Sequence, residues 1–168
     1  MVNHPVDMAT WNEVEAAVPE LAEAVRSRFE ATGLGLLATL RKDGAPRITG
    51  VEPGFSRGEV WLGMMDGSRK ALDLRRDPRL ALHSATADKE VKDGDARITG
   101  EAVELSEDDP QRKVFLDDLR AGGDWAPEGP FHLFRIEVRE LAFVHPESDK
   151  LVIRSWRVGG EERRIERT

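Results

Sequence analysis

The chain has 168 residues, which suits one domain with a real core and is short for most two-domain enzymes. Apolar residues make up 39% and charged residues 34%, proportions of a soluble globular protein and not of a disordered one. A net charge of -7 argues against nucleic-acid binding, which draws on clustered Lys and Arg, and the lack of cysteine excludes disulfides, thiolate nucleophiles and Cys-based metal sites.

Two helices open the chain. Thr10 is placed to cap a short one, and Pro19 suits the first turn of a second that runs through Phe29 to a stop near Gly33. Val14, Val18, Leu21, Val25 and Phe29 recur every three or four residues, an apolar stripe that fits packing on a sheet. The opening MVNHPVDMATW has no charged-then-apolar signal pattern, and no apolar run reaches the roughly 20 residues of a membrane span. A cytoplasmic protein with no membrane partner is expected.

From Gly35 the period changes. Residues 36–40 read as a buried strand, Asp43-Gly44 as a hairpin turn and 46–51 as the returning strand. Arg57-Gly58 turns into a third strand over 59–64. A helix beginning at Ser68 ends before Pro78, and 80–83 resumes as strand. Another strand over 97–105 leads to a helix capped by Ser106, with Asp109 three residues on. After a Gly- and Pro-rich loop over 122–130 come three short strands, 131–138, 141–144 and 151–156, and a charged tail. Seven or more strands with few helices predict a closed or partly closed barrel. The pattern KDGxxRITG begins at Lys42 and again at Lys92. The match dies on both sides, which marks one turn-plus-strand device used twice and not a duplicated domain.

Three motifs suggest chemistry. Gly33-Leu34-Gly35-Leu36-Leu37-Ala38 matches the dinucleotide fingerprint, which needs a strand before it and a helix after it; here the order is reversed. Gly54-Phe55-Ser56-Arg57-Gly58 matches the hydrolase nucleophile elbow, which lies on a strand-to-helix turn. Here strand follows, and Gly54 and Gly58 read as turn residues.

The third motif is Gly67-Ser68-Arg69-Lys70. Ser68 looks like a helix N-cap, yet two cations follow it where the positive end of the helix dipole repels them. Ser68, the free N–H groups of the first turn and the two cations can together hold an anion, and Gly67 lets the backbone come close. The other reading is a solvated basic turn, since Arg75, Arg76 and Arg79 follow; sequence physics leaves the two level. The four histidines, His4, His83, His132 and His145, include no helical i, i+4 pair, so no metal site is expected.

The order of LATL strand, DGxPR hairpin, WLG strand, SRKAxxL helix, RRDPR and RITGEAVEL strand resembles the pyridoxamine 5'-phosphate oxidase-like proteins, the flavin-binding split barrels. The similarity runs from about Pro19 to about Trp156. It implies one domain over residues 1–168, mainly β with flanking helices: a split β-barrel of the FMN-binding type, with N-terminal helices in 1–33 and a C-terminal strand and tail in 150–168. It also implies a homodimer with FMN between the subunits. In the family an Arg-Lys pair after the third strand holds the flavin phosphate, which here means Arg69 and Lys70 with Ser68 beside them. A basic residue at the start of the second strand approaches the cofactor, the place of Arg47. The edge of the third strand faces the flavin ring, which points to the backbone of Gly63, Met64 and Met65. For the late-strand arginine that contacts flavin in the true oxidases, Arg154 is the nearest match.

The departures from the true oxidases are specific. There is no tyrosine in the chain, and residues 111–120 do not reproduce the set that holds a substrate phosphate. Ala96 stands where those enzymes have Gln, and Val144 where they have a flavin-facing Trp. These differences point away from vitamin B6 oxidation. The expected function is an FMN-dependent oxidoreductase passing a hydride through the flavin to or from a small substrate, with no side chain obliged to act as acid or base. Two alternatives stand beside it: a deazaflavin coenzyme on the same barrel, and a non-enzymatic flavin or haem carrier or sensor with His83 or His132 as axial ligand.

Overall fold

The computed structural model describes residues 7–86, 88–124 and 126–168; the opening MVNHPV, with His4, lies outside them. Helices α1 (Trp11–Ala17) and α2 (Pro19–Thr32) come first. Thr10 caps α1 through a reciprocal box, its hydroxyl accepting from Glu13 N at 3.3 Å while Glu13 Oε2 accepts from Thr10 N at 2.8 Å. Pro19 opens α2 and Gly33 ends it in the left-handed conformation. The predicted stripe is buried and faces β6 (Asp95–Glu104) and β7 (Phe131–Glu147).

The remaining elements are β1 (Gly35–Leu40), β2 (Pro46–Val51), β3 (Pro53–Ser56), β4 (Glu59–Met65), α3 (Arg69–Arg76), β5 (Arg79–Ser84), α4 (Pro110–Gly122), β8 (Lys150–Arg157) and β9 (Arg163–Arg167). All strand pairs are antiparallel, in the order β2-β1-β5-β6-β7-β4-β3, with β8 on the far half of β7 and β9 on β8. Inward residues such as Leu37, Leu62, Leu82, Ile98, Phe134 and Ile136 are wholly buried. No strand pair among the described residues joins β2 to β4 or β3, so the barrel is split. No helix among them is long and apolar enough to cross a membrane.

The repeated device is confirmed. Gly44 N donates to Arg41 O and Gly94 N to Val91 O, both at 2.9 Å, and both glycines have φ +82°. The dinucleotide-like and elbow-like motifs also find their places: Gly33 is a helix stop before a strand, and Ser56 lies opposite Glu59 in a hairpin.

Four expectations need correction. Gly54 belongs to strand β3, where it pairs with Trp61, and only Gly58 is a turn residue. Helix α4 is capped by Asp109 and not Ser106, because Pro110 occupies the first helical position and the Asp109 side chain accepts from Gln111 N at 2.8 Å. The segments 131–138 and 141–144 are one strand, β7, whose register shifts opposite Thr99 and Gly100. A Cβ on Gly100 would lie 2.0 Å from Glu137 O, so this close approach of two backbones requires glycine. The charged tail includes β9, all five residues of which are exposed and leave no burial period to read.

Candidate functional site

Helix α3 starts where β4 ends, and its side chains reach the opposite lip of the split, formed by β1 and β2. Asp73 anchors it. This carboxylate is 4% exposed and accepts from Arg47 Nε at 2.7 Å, Thr39 Oγ1 at 3.0 Å and Arg76 at 3.1 Å. Thr39 and Arg47 are cross-strand partners, which places both on the inner face that α3 meets. Burial works against the charge on Asp73, but the hydrogen bonds from Arg47, Arg76 and Thr39 outweigh it and hold the carboxyl below its ordinary range. Arg76 also donates to Leu40 O, and Lys70 Nζ donates to Gly50 O at 2.9 Å. Burial lowers the Lys70 pKa, with Glu52 opposing.

The start of α3 is under-bonded. Ser68 has extended N-cap geometry, yet its side chain makes no capping bond, and Oγ is buried without a partner. On β2 the Thr49 hydroxyl is likewise buried and unpartnered, two residues from Arg47 on the same strand face. The first-turn N–H groups of Arg69, Lys70 and Ala71 have no acceptor among the described residues. Arg69 is exposed and has no ion-pair partner among those residues. Lys70 has two of its three donors left, and only Nε of Arg47 is committed.

Beside this start, β4 offers an open edge. Gly63, Met64 and Met65 pair with Leu133, His132 and Phe131 of β7, whereas β3 stops pairing at Leu62. The Met64 side chain is core and that of Met65 is 77% exposed, so Met64 meets the split through its backbone. Behind them Phe115 of α4 sits 3.8 Å from where a Gly63 Cβ would stand.

Seven of the eight predicted residues therefore cluster at the split: Arg47, Gly63, Met64, Met65, Ser68, Arg69 and Lys70. A single chain does not bring Arg154 to them. It lies opposite Phe143 on β7, whereas Met64 lies opposite His132; at about 3.3 Å per residue that separation is on the order of 30 Å along the strand. Its guanidinium is engaged by Glu162, with Nε–Oε1 at 2.5 Å.

Of the two histidines considered as axial ligands, His132 has no free nitrogen. It is 3% exposed, with Nδ1 2.7 Å from Glu104 and Nε2 accepting from Gly67 N at 3.0 Å. His83 is half-buried, with Nδ1 2.7 Å from Ser84 O. Sequence reasoning missed Thr49, Asp73 and Glu104 as site components and considered His132 only as a haem ligand. Asp73 carried a faint signal, a lone acid one turn after Lys70 in RKALDLRR; the others carried none.

An open antiparallel barrel with a cation-flanked helix start at its split defines a class, the split-barrel proteins. The chain belongs to the pyridoxamine 5'-phosphate oxidase family, whose model matches residues 21–145. No curated protein matches the sequence. Among solved structures, it is 27% identical to a conserved hypothetical protein from Mycobacterium tuberculosis, covering 74% of this chain and 82% of that one with a TM-score of 0.58. A pyridoxamine 5'-phosphate oxidase-related, FMN-binding protein from Nostoc punctiforme is 13% identical over 90% of this chain and 96% of its own, with a TM-score of 0.62. A heme-binding protein from Mycobacterium smegmatis is 20% identical with a TM-score of 0.60; the match covers 80% of this chain and 57% of that longer one.

Proposed function

We propose that this chain binds FMN by its phosphate at the start of α3 and acts, as a homodimer, as a flavin-dependent oxidoreductase on a small substrate. The observation that carries the reading is the buried Ser68 hydroxyl, which with three neighbouring N–H groups and Arg69 finds no partner among the described residues. A serine N-cap ordinarily accepts from its own helix; this one is left to donate outward, and a phosphate oxygen is the acceptor that such a cluster fits. Arg69 and the spare donors of Lys70 supply charge, Arg47 stands on the facing strand, and the open edge of Gly63–Met65 offers backbone groups to a flat polar ring. When bound, the flavin supplies reversible hydride acceptance. The chain's residues hold and orient it.

Dimerisation is supported by the outer sheet face. Leu36 and Ile48 are 47% and 68% exposed on adjacent strands, opposite Gly50 and Ala38, and Leu34 is 50% exposed beside them. A grouped apolar face of this kind is a common mark of association.

The test is the spectrum of the purified chain followed by FMN titration. Flavin absorbance and saturable FMN uptake are expected; a colourless preparation that takes up no FMN overturns the reading. Preference for a deazaflavin coenzyme over FMN would reassign the ring while keeping the phosphate grip. A Soret band on haem addition that disappears in His83→Ala would make the protein a haem carrier instead.

A further inference from the structure

A chain of hydrogen bonds runs from one end of α3 to the other through β6 and β7. Arg75, in the last turn of α3, donates to Glu104 through Nε at 2.6 Å and through a terminal nitrogen at 2.9 Å. Glu104 Oε1 lies 2.7 Å from His132 Nδ1, and His132 Nε2 lies 3.0 Å from the backbone nitrogen of Gly67, just before Ser68. A backbone N–H can only donate, so Nε2 must carry the lone pair and Nδ1 the proton that goes to Glu104. The partners thus dictate the neutral Nδ1–H tautomer. Burial opposes the charge on Glu104, but hydrogen bonds from Arg75 and His132 outweigh it and keep its carboxyl below the ordinary range. Asp66 also approaches the ring, its Oδ1 3.6 Å from Nε2, and Glu107 and Arg112 line the same cleft.

The tethered turn is the one that aims the anion donors. Gly67 has φ +66°, and the turn is otherwise closed by Ser68 N donating to Met65 O at 3.2 Å. We propose that His132, fixed in its tautomer by Glu104, is a positioning residue for the cofactor phosphate: it pins Gly67 and thereby sets the direction of Ser68 Oγ and of the Arg69 and Lys70 N–H groups. The inference rests on the flavin reading above and adds a residue to it. A turn already ordered loses less freedom when the ligand arrives, so the tether raises affinity without touching the ligand.

Three variants test it in the full chain. His132→Leu removes the acceptor, His132→Gln keeps one near the Nε2 position, and Glu104→Leu removes the acceptor that holds Nδ1–H. In the cofactor-free wild type, imidazole nitrogen shifts should show Nδ1 protonated and Nε2 bare, and the Gly67 amide should exchange slowly. His132→Leu should speed that exchange and weaken FMN binding on the order of tenfold, with His132→Gln within about threefold of wild type. Glu104→Leu should free the ring and likewise speed Gly67 exchange. A wild-type Nε2 that carries a proton, or a folded His132→Leu that binds FMN as the wild type does, overturns the proposal. If His132→Leu does not fold, Glu104→Leu decides, and Gly67 exchange there as slow as in the wild type counts against it. Failure of the wild type to bind FMN would sink the flavin reading instead; Gly67 exchange in the cofactor-free chain judges the tether in either case.

Discussion

Asp73 is the side chain on which the docking of α3 depends most, and its replacement by Asn gives a stability change that can be worked from the contacts. Asn keeps the volume, so cavity formation does not confuse the result. It removes the charge that compensates Arg47 and Arg76 and turns one acceptor into a donor facing a guanidinium. Breaking a buried ion pair by removing one partner costs about 3–5 kcal/mol. The lower end applies here, because the Arg47 and Arg76 side chains are 22% and 38% exposed and keep some water. At about 2–4 °C per kcal/mol for a chain of this size, Asp73→Asn should lower Tm by about 6–12 °C. Because the folded pKa of Asp73 is depressed, its contribution is present above the unfolded carboxylate value and is lost as pH falls through the folded one. The gap between wild type and variant should therefore be full at pH 7 and narrow below about pH 4. Thermal and urea unfolding followed by circular dichroism at both pH values measure this. A loss under about 1 kcal/mol at pH 7, or a gap that widens on acidification, would refute the anchoring role.

Other substitutions separate stability from binding. Gly100→Ala should destabilise by about 3 kcal/mol or more, since its Cβ would meet Glu137 O at 2.0 Å and no flexible atom can yield; an unchanged urea midpoint would contradict the close-approach account. Thr10→Ala should cost about 1 kcal/mol by the same assay through loss of the capping box. Ile48→Asp should leave the fold intact and shift sedimentation to a monomer if the outer face of β1 and β2 is the subunit contact; a persistent dimer would place the contact elsewhere. Arg69→Ala, which breaks no ion pair, should change unfolding by less than about 0.5 kcal/mol.

Local signals were legible in the sequence. The Thr10 cap, the Pro19 start and the Gly33 stop are each local signals, and the structure keeps all three, adding Glu13 to the cap as a reciprocal box. The strand β7 was read as two pieces because Arg139 and Glu140 interrupt the apolar pattern at the point where the register shifts. The hairpin partner β9 was invisible for a different reason: no residue of it is buried. At the site, Ser68, Arg69 and Lys70 stood out because a helix start followed by cations is a local electrostatic conflict. Of the groups that hold that start in place, Arg47 enters through the family resemblance and His132 only as a candidate haem ligand, while Asp73 and Glu104 do not stand out. Arg47 and Asp73 are brought together only by the docking of α3 on the sheet, and Glu104 and His132 only by the pairing of β6 with β7. No short-range pattern encodes either pair.

The central claim is that the start of α3 grips a phosphate. Titrating the wild type and the Arg69→Ala, Lys70→Ala double variant with FMN and with riboflavin, which lacks the phosphate, tests it most directly. Charge-assisted hydrogen bonds are worth about 1.5–3 kcal/mol each, so losing two should weaken FMN binding by about a hundredfold or more. Riboflavin should bind the wild type weakly and be indifferent to the double substitution. Equal affinity of the wild type for the two flavins, or FMN affinity unchanged in the double variant, would contradict the account.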